Sequence, residues 1–524
     1  MKIFKIQWLF LLLAGVIVGC SSDDDNDPIV EEIEFTSGTA DFSNYVALGN
    51  SLTAGFTDGA LFVSGQQSSV PNILAQQFAL AGGGDFSQPL ANGNVGGLLL
   101  GGTPIQEPRL FFNGSGPQRL AAAPTTEVTA KLTGQFNNMG VPGAKIFHLI
   151  APGYGNVAGV ATGQANPYFA RFASTANATI IGDAIAQDPT FFSLWIGNND
   201  VLAYATSGGA GVNQKGNFNP ATYGGNDITD PNVFAQVYSG LVASLVATGA
   251  DGVVANIPNV TTIPYFTTVP FAPLSPANPS FGPLIPTLNQ TFGGLNQVFA
   301  ALGVPERSIV FSSTAASAVV IKDESLPNLS AQITAALGAG GVDPGTAFVF
   351  GQLYGQARQA NATDLLVLPS SSIIGQPNAG ALAMLTALGV PAATAGQLSV
   401  NGVTFPLEDK WVLTRAEQNE VLEATTSFNQ TIKAVAEANG LAFVDVNAIL
   451  SQVAATPMGV PFDEYRLNAR LVFGGAFSLD GVHPTARGYA FIANKFIEAI
   501  NARYGSNLPL VRAANYTTLY PASL

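Results

Sequence analysis

The stretch Tyr45 to Asp58 reads YVALGNSLTAGFTD. An apolar run, Val46-Ala47-Leu48, stops at Gly49 and hands the chain to Ser51. A short uninterrupted apolar run suits a strand buried on both faces. With a helix beginning just after it, Ser51 sits at a strand's carboxyl end and a helix amino terminus. The first N–H groups of a helix have no intrahelical partner. They favour a developing negative charge, so a nucleophile there has half an oxyanion hole already built.

Working outward, three more buried strands are expected, at Phe191 to Ile196 (FFSLWI), Gly252 to Ile257 (GVVANI) and Leu441 to Val446 (LAFVDV). Helical spacing of apolar residues marks Pro71 to Ala81, Phe234 to Ala247 and the long segment Arg415 to Asn439, and it recurs in the tail from Tyr489 to Ile500. Strands alternating with helices point to a parallel sheet covered on both faces. Two long regions interrupt that alternation. Gly83 to Thr129 is punctuated by Gly and Pro and is expected to be loop. From Val253 to Pro305 no charged residue occurs, but the many prolines forbid a spanning helix, so an irregular apolar loop is expected there. Short helices at Asn328 to Leu337 and Ala379 to Leu388 fill out a second insertion, about 265–410.

Composition excludes several classes of function. The chain has 524 residues, 47% hydrophobic and 10% charged, which suits a loop-rich globular protein. A formal charge of −14 with only 20 Lys+Arg, nowhere clustered, argues against nucleic acid as a partner. One cysteine and two histidines leave no cluster for a metal. The Gly338 to Gly341 cluster lacks the spacing of a dinucleotide fingerprint, and no glycine loop carries a GK[ST] ending, so no nucleotide cofactor is expected.

The cysteine has its own context. Lys2 and Lys5 precede an apolar run from Trp8 to Val18, and Ile17-Val18-Gly19-Cys20 resembles the cleavage box of bacterial lipoproteins. That resemblance implies a signal peptide over 1–19, lipidation of Cys20, and membrane attachment through it. An acidic stretch, Ser21 to Pro28, opens a tether over 20–40. Its charges fit a solvated spacer and equally resemble the surface-export tags of some outer-membrane lipoproteins.

Candidate chemistry then falls on few residues. His148 lies in an apolar setting, Ile146 to Leu149, and reads as a packed side chain. His483 follows Asp480 by three positions in a Gly/Pro-rich turn, so the carboxylate can bond Nδ1 and leave Nε2 facing a substrate. Asp445, after the last strand, is an alternative acid that reads better as a cap. A turn at Gly140 to Gly143 would present backbone N–H groups.

Taken in order, Gly49-Asn50-Ser51-Leu52, Gly143 within NMGVPG, Gly197-Asn198-Asn199-Asp200 and Asp480-Gly481-Val482-His483 together resemble the four blocks of the SGNH, or GDSL, hydrolases. The resemblance runs from Tyr45 to about Tyr504 and leaves the two insertions, about 83–129 and 265–410, unexplained. It implies one hydrolase domain over 41–510, built as a three-layer α/β/α sandwich on a flavodoxin-like parallel sheet of about five strands. It further implies Ser51 as nucleophile, His483 as general base and then acid, and Asp480 as the group orienting it. The Ser51 and Gly143 N–H groups and the Asn199 side chain become the oxyanion donors, with no metal or organic cofactor. Asn50 stands where the family more often has Asp.

The activity implied is a serine esterase or lipase that cleaves carboxylic esters through an acyl-enzyme. The charge-free, Pro-rich segment and 34 Phe against 3 Trp favour a lipid or fatty-acyl ester. Alternatives are a carbohydrate O-acetyl esterase, or a non-catalytic surface binding lipoprotein on the same fold. Docking of an outer-membrane protein partner is the alternative role for the second insertion. The expected location is the outer membrane, with the facing side left open.

Overall fold

The computed structural model of the protein describes residues 34–524; the leader, Cys20, the acidic stretch and most of the tether lie outside the described residues. Its centre is a five-stranded sheet, parallel throughout. The strands are β1 (Tyr45–Gly49), β2 (Asn138–Gly140), β3 (Phe191–Trp195), β4 (Asp251–Ala255) and β5 (Ala442–Val444), in spatial order 2-1-3-4-5. β1 and β3 are buried at every position, which is why they read as apolar runs with no alternation.

Long helices carry the sheet's apolar surface. Val70–Leu80 packs on Ala486–Tyr504, and Phe78 meets Tyr45 and Phe191 edge-on with centroids 5.0 and 5.4 Å apart. Pro231–Val246 packs on Arg415–Ala438, joined by Phe234 stacked on Phe428 at 4.1 Å. Each helix starts on a cap written in the sequence. Asp230 accepts from the Asn232 and Val233 N–H groups, and Thr414 and Glu417 form a capping box.

Three expectations are corrected. The region 83–129 is not merely loop: it folds two antiparallel ribbons, Leu98–Leu100 with Thr103–Gln106 and Leu110–Phe112 with Pro117–Arg119. These strands are three or four residues long, too short to show a period, and in each ribbon one strand is half-buried and its partner exposed. The charge-free region holds a helix of 17 residues, Ile285–Ala301, where an irregular loop was expected. Its proline stands at the amino-terminal turn, where the missing N–H costs nothing. The helix after Ser51 is a single turn, Ser51–Ala54, closed by Gly55 at φ 79°, so it brings free N–H groups but little macrodipole.

Residues between Val269 and Val412 build a second hydrophobic core of their own, around Phe292, Phe299, Ile321 and Leu407. Among the described residues no helix is long and apolar enough to cross a membrane.

Candidate active site

β1 is flanked by β2 on one side and β3 on the other, and Gly49, its last residue, pairs with both Gly140 and Trp195. The connections leave β1 and β3 in opposite directions across the sheet, so a crevice opens at their carboxyl ends. Ser51 and Asn199 each follow one of those ends. Gly49 is required there, because a Cβ would lie 2.0 Å from Thr53 Oγ1 and 2.4 Å from the Trp195 carbonyl oxygen. Asn50 caps the single turn, its Oδ1 accepting from the Leu52 N–H at 3.0 Å. Its Nδ2 donates to Asn198 Oδ1 at 3.1 Å, so the uncharged residue joins the serine turn to the loop after β3.

The structure brings Ser51, His483 and Asp480 into one chain of hydrogen bonds. Ser51 Oγ lies 2.9 Å from His483 Nε2, and His483 Nδ1 lies 2.9 Å from Asp480 Oδ2. Asp480 also accepts from the Val482 and His483 N–H groups, from Ser478 Oγ and from the Gly59 N–H. Burial works to raise this carboxyl, but His483 and the hydrogen bonds outweigh it and bring it down to about 2. An ionised Asp480 accepts only, so Nδ1 carries the proton and Nε2 is left to accept from the serine hydroxyl.

The loop holding His483 is a tight hairpin: the Ser478 N–H donates to the His483 carbonyl at 2.8 Å and the Gly481 N–H to the Ser478 carbonyl at 2.9 Å. Residues just after the serine turn grip it. Thr57 Oγ1 donates to the Pro484 carbonyl, the Asp58 N–H to Ser478 Oγ, and the Leu479 N–H to Asp58 Oδ1. Asp58 and Gly59 were missed as site residues by sequence reading, although an Asp-Gly pair is a turn signal. Burial, reinforced by the nearby Asp480, pushes the Asp58 carboxyl up to about 7 against the Leu479 bond and Arg109.

Gly143 adopts φ 81°, a conformation L side chains rarely take, in the loop after β2. Among the described residues, neither its N–H nor that of Ser51 donates to another protein group. Asn199 Nδ2 donates to the Ala144 carbonyl at 2.9 Å, and Asp200 Oδ2 accepts from the Ile146 N–H at 3.0 Å. Two consecutive side chains after β3 therefore hold the loop that carries Gly143. His148 is not near the serine chain; its Nδ1 accepts from the Lys145 N–H, it stacks on Tyr154 at 4.3 Å, and burial lowers it to about 4. Asp445 caps the following helix through the Ala448 N–H.

Beside Ser51 and His483 is a small cavity of about 30 Å³, walled by Trp195, Val260, Ile263, Phe477 and Val482. Asn198 also lines it, buried, with its Nδ2 bonded to nothing. The arrangement offers a hydroxyl with a base, an ionised acid behind the base, and unused donors in an apolar pocket.

The chain matches no family model, no curated protein and no solved structure.

Proposed function

We propose that this protein is a serine-dependent carboxylic ester hydrolase of the SGNH, or GDSL, type. The observation that carries the reading is the pair of 2.9 Å hydrogen bonds running Ser51–His483–Asp480. The strand order 2-1-3-4-5 supports the finer description of a three-layer α/β/α, flavodoxin-like core. Attachment at the outer membrane through lipidated Cys20 belongs to the same proposal, on the sequence pattern alone.

In the reaction, Ser51 Oγ forms a bond to the ester carbonyl carbon as its proton passes to His483 Nε2. Ionised Asp480 stabilises the imidazolium. The new oxyanion is met by the Ser51 and Gly143 N–H groups and the free hydrogen of Asn199 Nδ2. Collapse breaks the carbon–oxygen bond to the alcohol, which leaves with the proton from His483. Water, deprotonated by the same imidazole, then cleaves the acyl-enzyme to a carboxylic acid and regenerated Ser51.

The apolar walls around Ser51 support a lipid or fatty-acyl substrate. A short acyl group, as in a carbohydrate O-acetyl esterase, is favoured by a different observation: about 30 Å³ is room for roughly one water-sized group. The test is labelling with an active-site-directed fluorophosphonate. Labelling at Ser51 that disappears in His483→Ala is expected; folded protein that resists the reagent would leave a binding protein on a hydrolase-like scaffold. Rates on acetyl esters against esters of long-chain acids then choose between the two substrates.

A further inference from the structure

Among the described residues, a cavity much larger than the one beside Ser51 shares none of its lining. It lies within the second core, has a volume of about 1100 Å³, and no charged residue lines it. Its walls include Val269, Leu274, Phe281, Leu288, Val349 and Phe350, interspersed with Ser, Thr, Asn and Gln side chains. The space is a deep cleft with a buried apolar floor, formed by Leu274, Phe281, Val349, Phe350, Leu398 and Val403, and a concave apolar site of this size suits a ligand. It opens to solvent: Leu284, on its rim, is 53% exposed, and Thr287, Thr346 and Gln397 around it are also exposed.

We propose that this cavity binds an uncharged lipid with two long acyl chains, such as a diacylglycerol. With each methylene taking about the room of a water, roughly 30 Å³, the volume accommodates the carbons of two long chains. Charge decides the class. With no Lys or Arg on the walls, a carboxylate or phosphate drawn inside loses its hydration with nothing to pair it, whereas a neutral ester or hydroxyl meets Ser, Thr, Asn and Gln side chains.

The cavity and the serine pocket share a support. Ile263 lines the pocket and Thr268 lines the cavity, at opposite ends of the one-turn helix Pro264–Thr267. From that turn the Tyr265 N–H donates to the Gly481 carbonyl in the His483 hairpin at 2.9 Å. The inference nevertheless stands on the cavity and is independent of the reaction at Ser51.

It is tested on the full chain carrying Ser51→Ala, so that hydrolysis does not intervene, with an NBD-labelled dioleoylglycerol transferred from phosphatidylcholine vesicles. Saturable binding is expected, displaced by unlabelled dioleoylglycerol and at least tenfold less well by oleate. Gly396→Trp should weaken binding at least tenfold. Gly396 lines the cavity in a right-handed helix, and a Cβ built on it meets nothing within 4 Å, so a side chain starts there without a clash. Leu284→Arg, at the exposed rim, gives a second variant should the first fail to fold. Absence of saturable binding, binding unchanged in folded variants, or oleate competing as well as the diglyceride would each overturn the proposal.

Discussion

At the scale of single residues, the site depends on side chains whose polar atoms are divided between structure and chemistry. Asn199 is the clearest case, because one hydrogen of its Nδ2 holds the Ala144 carbonyl and the other, in the proposed mechanism, meets the oxyanion. Replacing it by Ala should lower kcat about 100- to 1,000-fold, the usual loss for one such donor, with little change in KM. Steady-state kinetics would check this; an unchanged kcat would remove Asn199 from the donor set. Ser51, Asp480 and His483, which the structure joins by hydrogen bonds, were legible in sequence because the proposed chemistry asks for those residue types. The exchange between Asn50 and Asn198 was not, since a side-chain amide can turn either end to a partner and only the fixed Leu52 N–H decides which.

Secondary-structure elements hold those residues at working distance, and the helix Ala486–Tyr504 does so for His483. Its cap, Thr485, accepts the Gly488 N–H at 2.9 Å and donates to the Gly475 carbonyl at 2.6 Å. Thr485→Ala should cost about 1–2 kcal/mol of stability, as cap removals do. It should also reduce kcat more than KM, because the hairpin ending at Pro484 loses its anchor; Thr485→Ser should restore both. Denaturant titration with parallel kinetics tests the pair, and equal effects of Ala and Ser would separate the cap from the site. The same scale explains what sequence reading found and lost. β1, β3, β4 and β5 announce themselves as apolar runs buried on both faces. β2 does not: its residues are Asn138, Met139 and Gly140, and it is a strand because β1 supplies the ladder and Asn138 Nδ2 bonds the Thr53 carbonyl. Gly140 at its end is needed for close approach, since a Cβ would lie 2.4 Å from the Ala54 nitrogen. Such a strand is dictated by its neighbours and leaves no period to read.

For the whole molecule, the second core was the least legible feature, because apart from Ile285–Ala301 its helices run to eleven residues or fewer and are nearly uniform in polarity along the chain. Its attachment is nonetheless simple. In the ribbon of Leu365–Leu366 with Val412–Leu413, Leu413 packs in the main core and Leu366 and Val412 in the second, as alternation in a strand requires. Stability of the assembled chain is tied to pH through Asp58, which sits where the serine turn, the His483 hairpin and the 110–119 ribbon meet. Its carboxyl titrates at about 7 when folded, against 3.8 ordinarily. A group raised in this way contributes its full stability below about pH 4 and loses it as pH rises towards 7, since the unfolded chain releases the proton first. The loss is at most about 4 kcal/mol. Asp480 works in the opposite sense and lower down: held at about 2, it stabilises above pH 4 and is lost as pH falls towards 2. Asp58→Asn keeps an acceptor for the Leu479 N–H and cannot ionise. The variant should therefore unfold close to the wild type at pH 4 and at clearly higher temperature or denaturant at pH 8. A constant difference across that range would mean that Asp58 stays ionised throughout, with Arg109 rather than a proton balancing it.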